Sequence, residues 1–176
     1  MNEIFPTLQI DDLVLRQIIM DDLPKIYEGL SHPDIIKYYG VSYTSLTETQ
    51  EQMKWFASLE KDGTGTWWAI VNAENNLFYG AVGLYNLSQA HKKAEIGFWL
   101  LPTYWGNGIM KKAVALVCNY AFAKLNLHRI EALVETENTN SKKILNKLNF
   151  NYEGTMVDCE IKNGNFISLE IYAKLH

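Results

Sequence analysis

Two glycines and two lysines lie where a strand-like run gives way to a long apolar helix. Gly106 and Gly108 precede the predicted helix, and Lys111 and Lys112 fall in its first turn. Backbone N–H groups in a first helical turn have no intrahelical partner, and the helix dipole favours anions there. Glycine lets a bound group approach the backbone closely. The spacing fits a phosphate-binding turn, and it also fits a tight strand-to-helix turn that simply requires glycine.

Other catalytic or metal-binding patterns are missing from the sequence. The four histidines and the two cysteines have no ligand-like spacing, so no metal site is predicted. The sequence contains no Gly-x-Ser-x-Gly motif, so serine hydrolase chemistry is not predicted either. Cys118 lies in an apolar, helix-like run, which indicates a buried free thiol. We therefore expect a reducing, cytoplasmic setting.

Length and charge narrow the class of protein further. The chain has 176 residues, with 20 acidic and 16 basic side chains and a formal net charge of −4. This length suits one domain over residues 1–176. The lack of a basic excess makes nucleic acid an unexpected partner. The longest nearly apolar stretch, residues 113–123, is too short to cross a membrane.

Apolar periodicity and turn signals give the order of elements that must position this turn. The pattern predicts a strand, two helices, three strands, a helix, a strand, a helix and two strands. Their approximate ranges are 13–18, 21–30, 45–62, 66–72, 77–86, 94–101, 109–125, 128–136, 138–148, 157–162 and 165–175. The helix near 45 has two possible capping residues, Ser45 and Thr47. Asn163-Gly164 predicts a two-residue hairpin between the last two strands.

Four short motifs follow one another in a specific order. They are Tyr-Trp-Gly-Asn-Gly-Ile at 104–109, His-Arg-Ile-Glu-Ala at 128–132, Asn138-x-x-Ser141, and Lys-Leu-Asn-Phe at 147–150. In this order they resemble the GNAT N-acetyltransferases, and more narrowly the RimJ/RimL branch, which acetylates the N-termini of ribosomal proteins. The resemblance implies a GNAT-like α/β (α+β) fold, with a twisted, mostly antiparallel sheet covered by helices and with splayed central strands.

The resemblance also implies acetyl-CoA as the acetyl donor and a direct attack of an amine on its thioester. The residues that it assigns to the pyrophosphate loop are Trp105, Gly106, Asn107, Gly108, Ile109 and Met110. The pantetheine arm would run along Phe98, Trp99 and Leu100. Asn138 and Ser141 would sit beside the cofactor.

Three positions depart from the usual pattern of the family. Met110 is bulkier than the family's Gly or Ala, which leaves the fit around the phosphates open. Lys112 replaces a frequent Glu; it would favour an anion but oppose the helix dipole. Leu145 stands where many members have a tyrosine general acid, so that role must fall to another group or to water.

Glu95 and Ser141 are the candidate catalytic residues. Glu95 lies on the strand that passes the expected reaction centre and could take the proton of the amine directly or through one water. It could equally form an ion pair or face solvent. Ser141 could protonate or hydrogen-bond the leaving thiolate, or it could simply occupy the first turn of a helix capped by Asn138.

The sequence does not decide whether the acetyl acceptor is an α-amine or another kind of amine. An α-amino group has a pKa near 7.7–8.0 and lysine one near 10.4, so roughly 15% and 0.04% are neutral at pH 7. A modest base thus suits an N-terminal acceptor. The alternatives are a small amine such as a polyamine, amino sugar or drug, and a catalytically quiet acyl-CoA-binding module. Analogy with the family also suggests a homodimer.

Overall fold

Runs of alternating and continuous apolar residues build one sheet of eight strands. The computed structural model describes residues 5–176. The strands lie in the order β1-β2-β3-β4-β5-β6-β8-β7, and the β5–β6 pair alone is parallel. Their bounds are β1 Leu8–Ile10, β2 Leu13–Gln17, β3 Thr66–Asn72, β4 Phe78–Ser88, β5 Lys93–Leu100, β6 Arg129–Glu135, β7 Asn151–Lys162 and β8 Asn165–Leu175.

Five helices pack against this sheet. They are α1 Leu23–Leu30, α2 Pro33–Ile36, α3 Leu46–Asp62, α4 Ile109–Ala123 and α5 Thr139–Lys147. Helix α3 begins after Ser45, whose hydroxyl accepts a hydrogen bond from the Glu48 N–H. Ser45 rather than Thr47 is therefore the capping residue. Asn138 caps α5 in the same way.

Two apolar clusters cover the two faces of the sheet. One contains Val114 and Val117 of α4 together with Leu145 of α5. The other contains Ile26 of α1 and Phe56 of α3. Because side chains alternate along a strand, successive residues of β5 enter different clusters. The sheet thus lies between an α1–α3 layer and an α4–α5 layer.

The predicted fold class is confirmed, and the differences concern weakly patterned segments. Strand β1 and helix α2 were not predicted, because three and four residues are too few to show a period. Strand β7 begins at Asn151, six residues before the predicted start at 157. Its first residues are mostly exposed and therefore carry no apolar alternation.

Strands β5 and β6 diverge in the middle of the sheet. They pair at three positions only, the last being Glu95 opposite Glu131. Beyond that point β5 stays with β4 and β6 stays with β8. A gap consequently opens between the two strands, as the predicted splaying requires.

Neither cysteine forms a disulfide. Cys118 is buried in α4, as predicted, and burial raises the pKa of its thiol to about 12. Cys159 is exposed on β7.

Within residues 5–176, no helix is both long enough and apolar enough to cross a membrane.

Candidate active site

A cavity of about 450 Å³ occupies the gap between β5 and β6. Ile96 and Phe98 line it from β5, and Ala132 and Val134 line it from β6. Tyrosine and tryptophan side chains from the α1–α3 face close its other end. The cavity therefore connects the two faces of the sheet, so two molecules could meet inside it from opposite sides.

Aromatic side chains dominate the α1–α3 side of this cavity. Trp55 and Trp67 have ring centroids 5.7 Å apart, and Tyr85 lies 6.2 Å from Trp55 and 6.5 Å from Trp67. Other lining residues on this side are Tyr38, Tyr39, Gly40, Val41, Tyr43 and Gln52. None of the described residues that line the cavity carries a formal charge. An entering group thus meets aromatic faces and neutral polar groups.

The loop from Trp105 to Gly108 leads from the end of β5 into α4. Gly106 and Gly108 have φ of +81° and +75°, which other residues adopt only with strain. The Trp105 indole N–H donates to the Leu100 carbonyl at 2.8 Å, which fixes the loop to the strand. Asn107 Nδ2 lies 3.4 Å from the Tyr104 carbonyl oxygen.

The start of α4 fits a phosphate group. Gly108 is its N-cap and supplies no side-chain cap, whereas α3 and α5 have Ser45 and Asn138. The first N–H groups of α4 consequently need an external acceptor. Apart from the glycine itself and its immediate chain neighbours, no heavy atom lies within 4 Å of where a Cβ would stand on Gly106 or Gly108, so the approach is open. The residues present suit a diphosphate such as that of CoA.

Two of the departures noted in the sequence have structural explanations. The Met110 side chain is buried in the α4–α5 cluster, so its bulk points away from the loop and leaves its backbone N–H available. Lys112 Nζ lies 2.9 Å from Asp11 Oδ2, and this pairing raises the pKa of Lys112. Lys112 therefore stays charged near the start of α4, but its ammonium is paired with Asp11 in this structure.

Asn138 and Ser141 both line the cavity at the start of α5. The Asn138 side-chain oxygen accepts a hydrogen bond from the Ser141 N–H at 3.1 Å. The same contact caps the helix and holds Ser141 at the cavity wall. Ser141 can therefore both occupy the capped first turn of α5 and line the site. Leu145, one turn further on, is fully buried in the core and offers no group to the cavity.

Phe98, Trp99 and Leu100 point to alternate faces of β5. The Phe98 side chain lines the cavity, whereas Trp99 is buried in the opposite cluster, 6.0 Å from the ring of Phe78. Leu100 is buried in the α4–α5 cluster. Beyond Glu95, the β5 backbone edge that faces β6 has no strand partner. An extended ligand could pair with this edge like an added strand.

Glu95 lies at the last β5–β6 pair, beside the cavity but not among its lining residues. Its Oε1 accepts a hydrogen bond from Asn86 Nδ2 at 2.8 Å. Tyr85, which faces Glu95 across β4 and β5, does line the cavity. Burial, and then the carboxylates of Glu95 and Glu160, raise the pKa of Tyr85. Tyr85 is therefore a protonated lining residue that interacts with the Glu95 carboxylate.

The sequence pattern does not indicate that Tyr85 and Glu160 lie near the site. Tyr85 lies in an ordinary apolar strand pattern, and Glu160 lies on an exposed strand. The aromatic pairs Trp67-Trp68 and Tyr38-Tyr39 fit either an acceptor groove or core packing by their sequence alone. Tyr38, Tyr39 and Trp67 line the cavity. Trp68 is fully buried in the α4–α5 cluster, and Trp67 is itself buried in the opposite cluster, so packing accounts for both tryptophans.

The fold and this cavity define an acetyltransferase. The profile of the GNAT acetyltransferase domain matches residues 12–151. The chain is 32% identical to the uncharacterized N-acetyltransferase YoaA of Bacillus subtilis (strain 168) over 170 residues, which cover 96% of each chain. The chain therefore belongs to the GNAT family and is an acetyl-CoA-dependent N-acetyltransferase, as predicted.

Solved structures support the same fold. A RimL ribosomal L7/L12 alpha-N-protein acetyltransferase in complex with coenzyme A superposes with a TM-score of 0.87, at 21% identity, over 97% of this chain and 98% of that one. A spermidine N-acetyltransferase from Vibrio cholerae, in complex with CoA and spermine, gives a TM-score of 0.83 at 24% identity, covering 93% and 95%. These two relatives differ in acceptor, so the fold leaves the acceptor open.

Proposed function

We propose that this enzyme acetylates the N-terminal α-amine of a protein, as a single domain of the RimJ/RimL-like branch. A ribosomal-protein-like acceptor is the class that we favour, in keeping with the name of the RimL relative. The proposal competes with acetylation of a polyamine, which is the activity named for the Vibrio cholerae relative. The two acceptors differ most in how much positive charge they bring into the cavity.

The uncharged lining of the cavity is the observation that carries this proposal. The described lining residues include six tyrosines and tryptophans on the α1–α3 side and no acidic residue. A polyamine would bring several ammonium groups into this space, where the lining offers no carboxylate and the nearby Glu95 and Glu160 act on Tyr85 without lining the cavity. Buried charges without direct partners are strongly unfavourable. An N-terminal segment brings one amine, and its peptide and apolar groups suit aromatic walls.

An α-amine has a low enough pKa that one carboxylate near the cavity would be a sufficient base for it. The amine must lose its proton before it can attack a thioester. At neutral pH, deprotonating a lysine acceptor costs about 3.5 kcal/mol more than deprotonating an α-amine, because their pKa values differ. Glu95 is a single carboxylate paired with Tyr85 across β4 and β5, which is consistent with the smaller demand.

We assign proton removal to Glu95 acting through the Tyr85 hydroxyl. Tyr85 lines the cavity, and its hydroxyl would accept a hydrogen bond from the incoming amine. Its proton would pass to Glu95 as the amine gives up its own, so that Tyr85 ends the step protonated. The Asn86 amide holds Glu95 Oε1 at 2.8 Å and so fixes the carboxylate for this exchange.

Ser141 and the α4 loop are assigned to the acetyl-CoA side of the cavity. Acetyl-CoA supplies the acetyl thioester that the neutral amine attacks. The N–H groups at Gly108, Ile109 and Met110 would hold its diphosphate, and the free β5 edge at 98–100 would hold its extended arm. Ser141, fixed by Asn138, would donate a hydrogen bond to the leaving thiolate.

Coenzyme A release measured against a panel of acceptors tests this function. The panel contains hexapeptides with free N-termini that begin with Ala, Ser, Thr or Met, their N-acetylated twins, and spermidine. We expect release with some of the free peptides and background rates with the twins and with spermidine. Turnover with spermidine alone would instead show that the enzyme acetylates a polyamine. Binding of acetyl-CoA without turnover on any acceptor would favour the cofactor-binding module.

We also propose that two copies associate through the β7–β8 hairpin. Strand β7 is an edge of the sheet, and Val157, Ile161 and Phe166 of the hairpin are 74%, 67% and 67% exposed. A second β7 could pair with this edge and cover these side chains. Light scattering should give twice the chain mass, and I161E/F166E should give the monomer mass.

A cytoplasmic setting is the last part of the proposal. Both cysteines are free thiols, and one of them is exposed, which fits a reducing compartment. Localisation of a fluorescent fusion in living cells tests this expectation. Signal throughout the cell interior is the expected result, and a signal confined to the cell envelope would contradict it.

A further inference from the structure

A lysine at the tip of the β7–β8 hairpin connects two walls of the cavity. Lys162 is the last residue of β7, and its side chain is 19% exposed. Its Nζ lies 2.6 Å from the Glu135 carboxylate and 2.6 Å from the carbonyl oxygen of Lys37. Glu135 is the last residue of β6, and Lys37 immediately precedes the lining residues Tyr38 and Tyr39.

We infer that Lys162 is a positioning residue that fixes the width of the acceptor entrance. One wall consists of residues 38–43, which we call the acceptor wall. The other wall consists of the end of β6 and the start of α5, where Asn138 and Ser141 line the cavity. Lys162 bonds to both walls, so it holds them at a constant separation.

The remaining contacts of the acceptor wall show why this bond matters. The Tyr43 N–H donates to the Leu30 carbonyl at 3.0 Å, and the Tyr43 hydroxyl donates to Gln52 at 3.0 Å. Both partners belong to the α1–α3 layer. The Lys162 bond to Lys37 reaches the wall from the opposite side of the cavity. Together with the Lys162–Glu135 bond, it forms a hydrogen-bonded link between this wall and β6.

The opposite wall has an anchor of its own. Lys142 Nζ lies 2.6 Å from the Thr136 carbonyl oxygen and 2.9 Å from the Glu170 carboxylate. This pair keeps the β6–α5 junction in place when Lys162 is removed. Loss of Lys162 should consequently release the acceptor wall while leaving Ser141 and the start of α4 unchanged.

Hydrogen exchange tests the release of the wall without any acceptor. The Tyr38, Tyr39 and Tyr43 amides are hydrogen-bonded and report on residues 38–43. Loss of a hydrogen bond from a charged group lowers the free energy needed to open the wall locally. K162M should therefore speed the exchange of these amides about tenfold or more. The control K54M removes an exposed lysine paired with Glu51 on α3 and should change nothing there. K162R, which can keep both bonds, should restore protection.

Kinetics test the consequence for the acceptor, and this arm rests on the proposed function. K162M should raise the KM of the free-amine hexapeptide about tenfold, because a misplaced wall weakens acceptor positioning. The Kd of acetyl-CoA should stay within about twofold, and K162R should recover most of the acceptor KM. E135Q, which leaves the ammonium and the Lys37 bond, should have an intermediate effect.

Two results would overturn the inference. One is unchanged exchange of residues 38–43 in K162M, which would show that the wall is fixed without the lysine. The other is an equal rise in the KM of both substrates, which would indicate a general structural effect. If no hexapeptide is a substrate, the exchange result still decides the role of Lys162, because it needs no acceptor.

Discussion

At the scale of single residues, the proposed base is a carboxylate that does not line the cavity. Glu95 pairs with Tyr85 across β4 and β5, and of the two only Tyr85 lines the cavity. Under the proposed role of Glu95, a cavity with a neutral lining would still have a proton acceptor beside it. This arrangement also separates the effect of Glu95 on catalysis from any effect on binding.

Replacement of Glu95 by Gln should therefore lower kcat without changing the affinity for acetyl-CoA. Loss of a general base commonly costs 10²–10⁴-fold, and we expect about 100-fold here. Stopped-flow or steady-state rates give kcat, and calorimetry gives the Kd of acetyl-CoA. The same pair of measurements on S141A tests the assignment of Ser141 to the leaving group.

Glu74→Gln is the matched control, since Glu74 is an exposed carboxylate in the turn between β3 and β4 and does not line the cavity. This control should retain the rate of the unmodified enzyme. A rate for E95Q within about tenfold of the unmodified enzyme, maintained across pH 6–9, would contradict the assignment of Glu95 as the base.

The sequence identifies some of these residues better than others. Ser141 and Asn138 belong to a short motif at a fixed spacing, and the structure brings both to the cavity. Tyr85 belongs to an ordinary strand pattern, and its role depends on its pairing with Glu95 across two strands. Lys112 was expected to serve an anion, but Asp11, 101 residues earlier, pairs with it. Such distant partners leave no local pattern in the sequence.

At the scale of elements, the turn into α4 requires glycine for backbone reasons. Gly108 has φ of +75°, and an alanine there costs about 1–2 kcal/mol. G108A should lower the free energy of unfolding by that amount and raise the Kd of acetyl-CoA about tenfold, because the N–H groups at the start of α4 would shift. Denaturant unfolding and calorimetry measure the two effects.

Gly63 provides a control with the same kind of strain. It ends α3 at φ of +67°, away from the cavity, and has no atom within 4 Å of a built Cβ. G63A should lower the free energy of unfolding by a similar amount and leave the Kd of acetyl-CoA unchanged. Equal Kd values for the two variants would show that the α4 turn does not bind the cofactor.

The short paired segment of β5 and β6 depends on an ion network around Glu131. Burial opposes ionisation of Glu131, but hydrogen bonds from Arg129 and Lys93 outweigh it and lower its pKa. A lowered pKa in the folded state stabilises the protein above the ordinary value of 4.5. That contribution is lost as the pH falls through the lower, folded-state pKa.

E131Q should therefore lower the free energy of unfolding by about 1–2 kcal/mol at pH 7, with the difference shrinking below about pH 4.5. Urea unfolding of both proteins between pH 3 and pH 7 measures the difference. A difference that grows as the pH falls would have the wrong sign and would contradict the assignment.

The elements that the sequence failed to predict are those without a buried face. Strand β1 and helix α2 are too short to show periodicity, and the first half of β7 is exposed on most positions. The boundaries of the long, half-buried elements near the site were predicted to within two residues. The splayed strands followed from the resemblance to the family rather than from periodicity, because no local pattern marks where β5 and β6 separate.

At the scale of the whole molecule, the site joins parts of the chain that are far apart in sequence. Lys162 bonds to the carbonyl of Lys37, 125 residues earlier, across the acceptor entrance. The sheet supplies the gap, the α1–α3 layer supplies the aromatic wall, and α4 and α5 supply the polar ends. The same fold serves relatives with different acceptors, so specificity must come from the residues that line the gap.

The most direct test of the central claim is a competition for one acetyl group. A hexapeptide with a free α-amine and an internal lysine is mixed with an equal concentration of spermidine and with limiting acetyl-CoA. Mass spectrometry then locates the acetyl group. The account predicts acetylation at the peptide's α-amine, with the lysine and spermidine unmodified. Acetyl groups found mainly on spermidine or on the lysine would contradict the claim that the neutral, aromatic cavity selects an N-terminal α-amine.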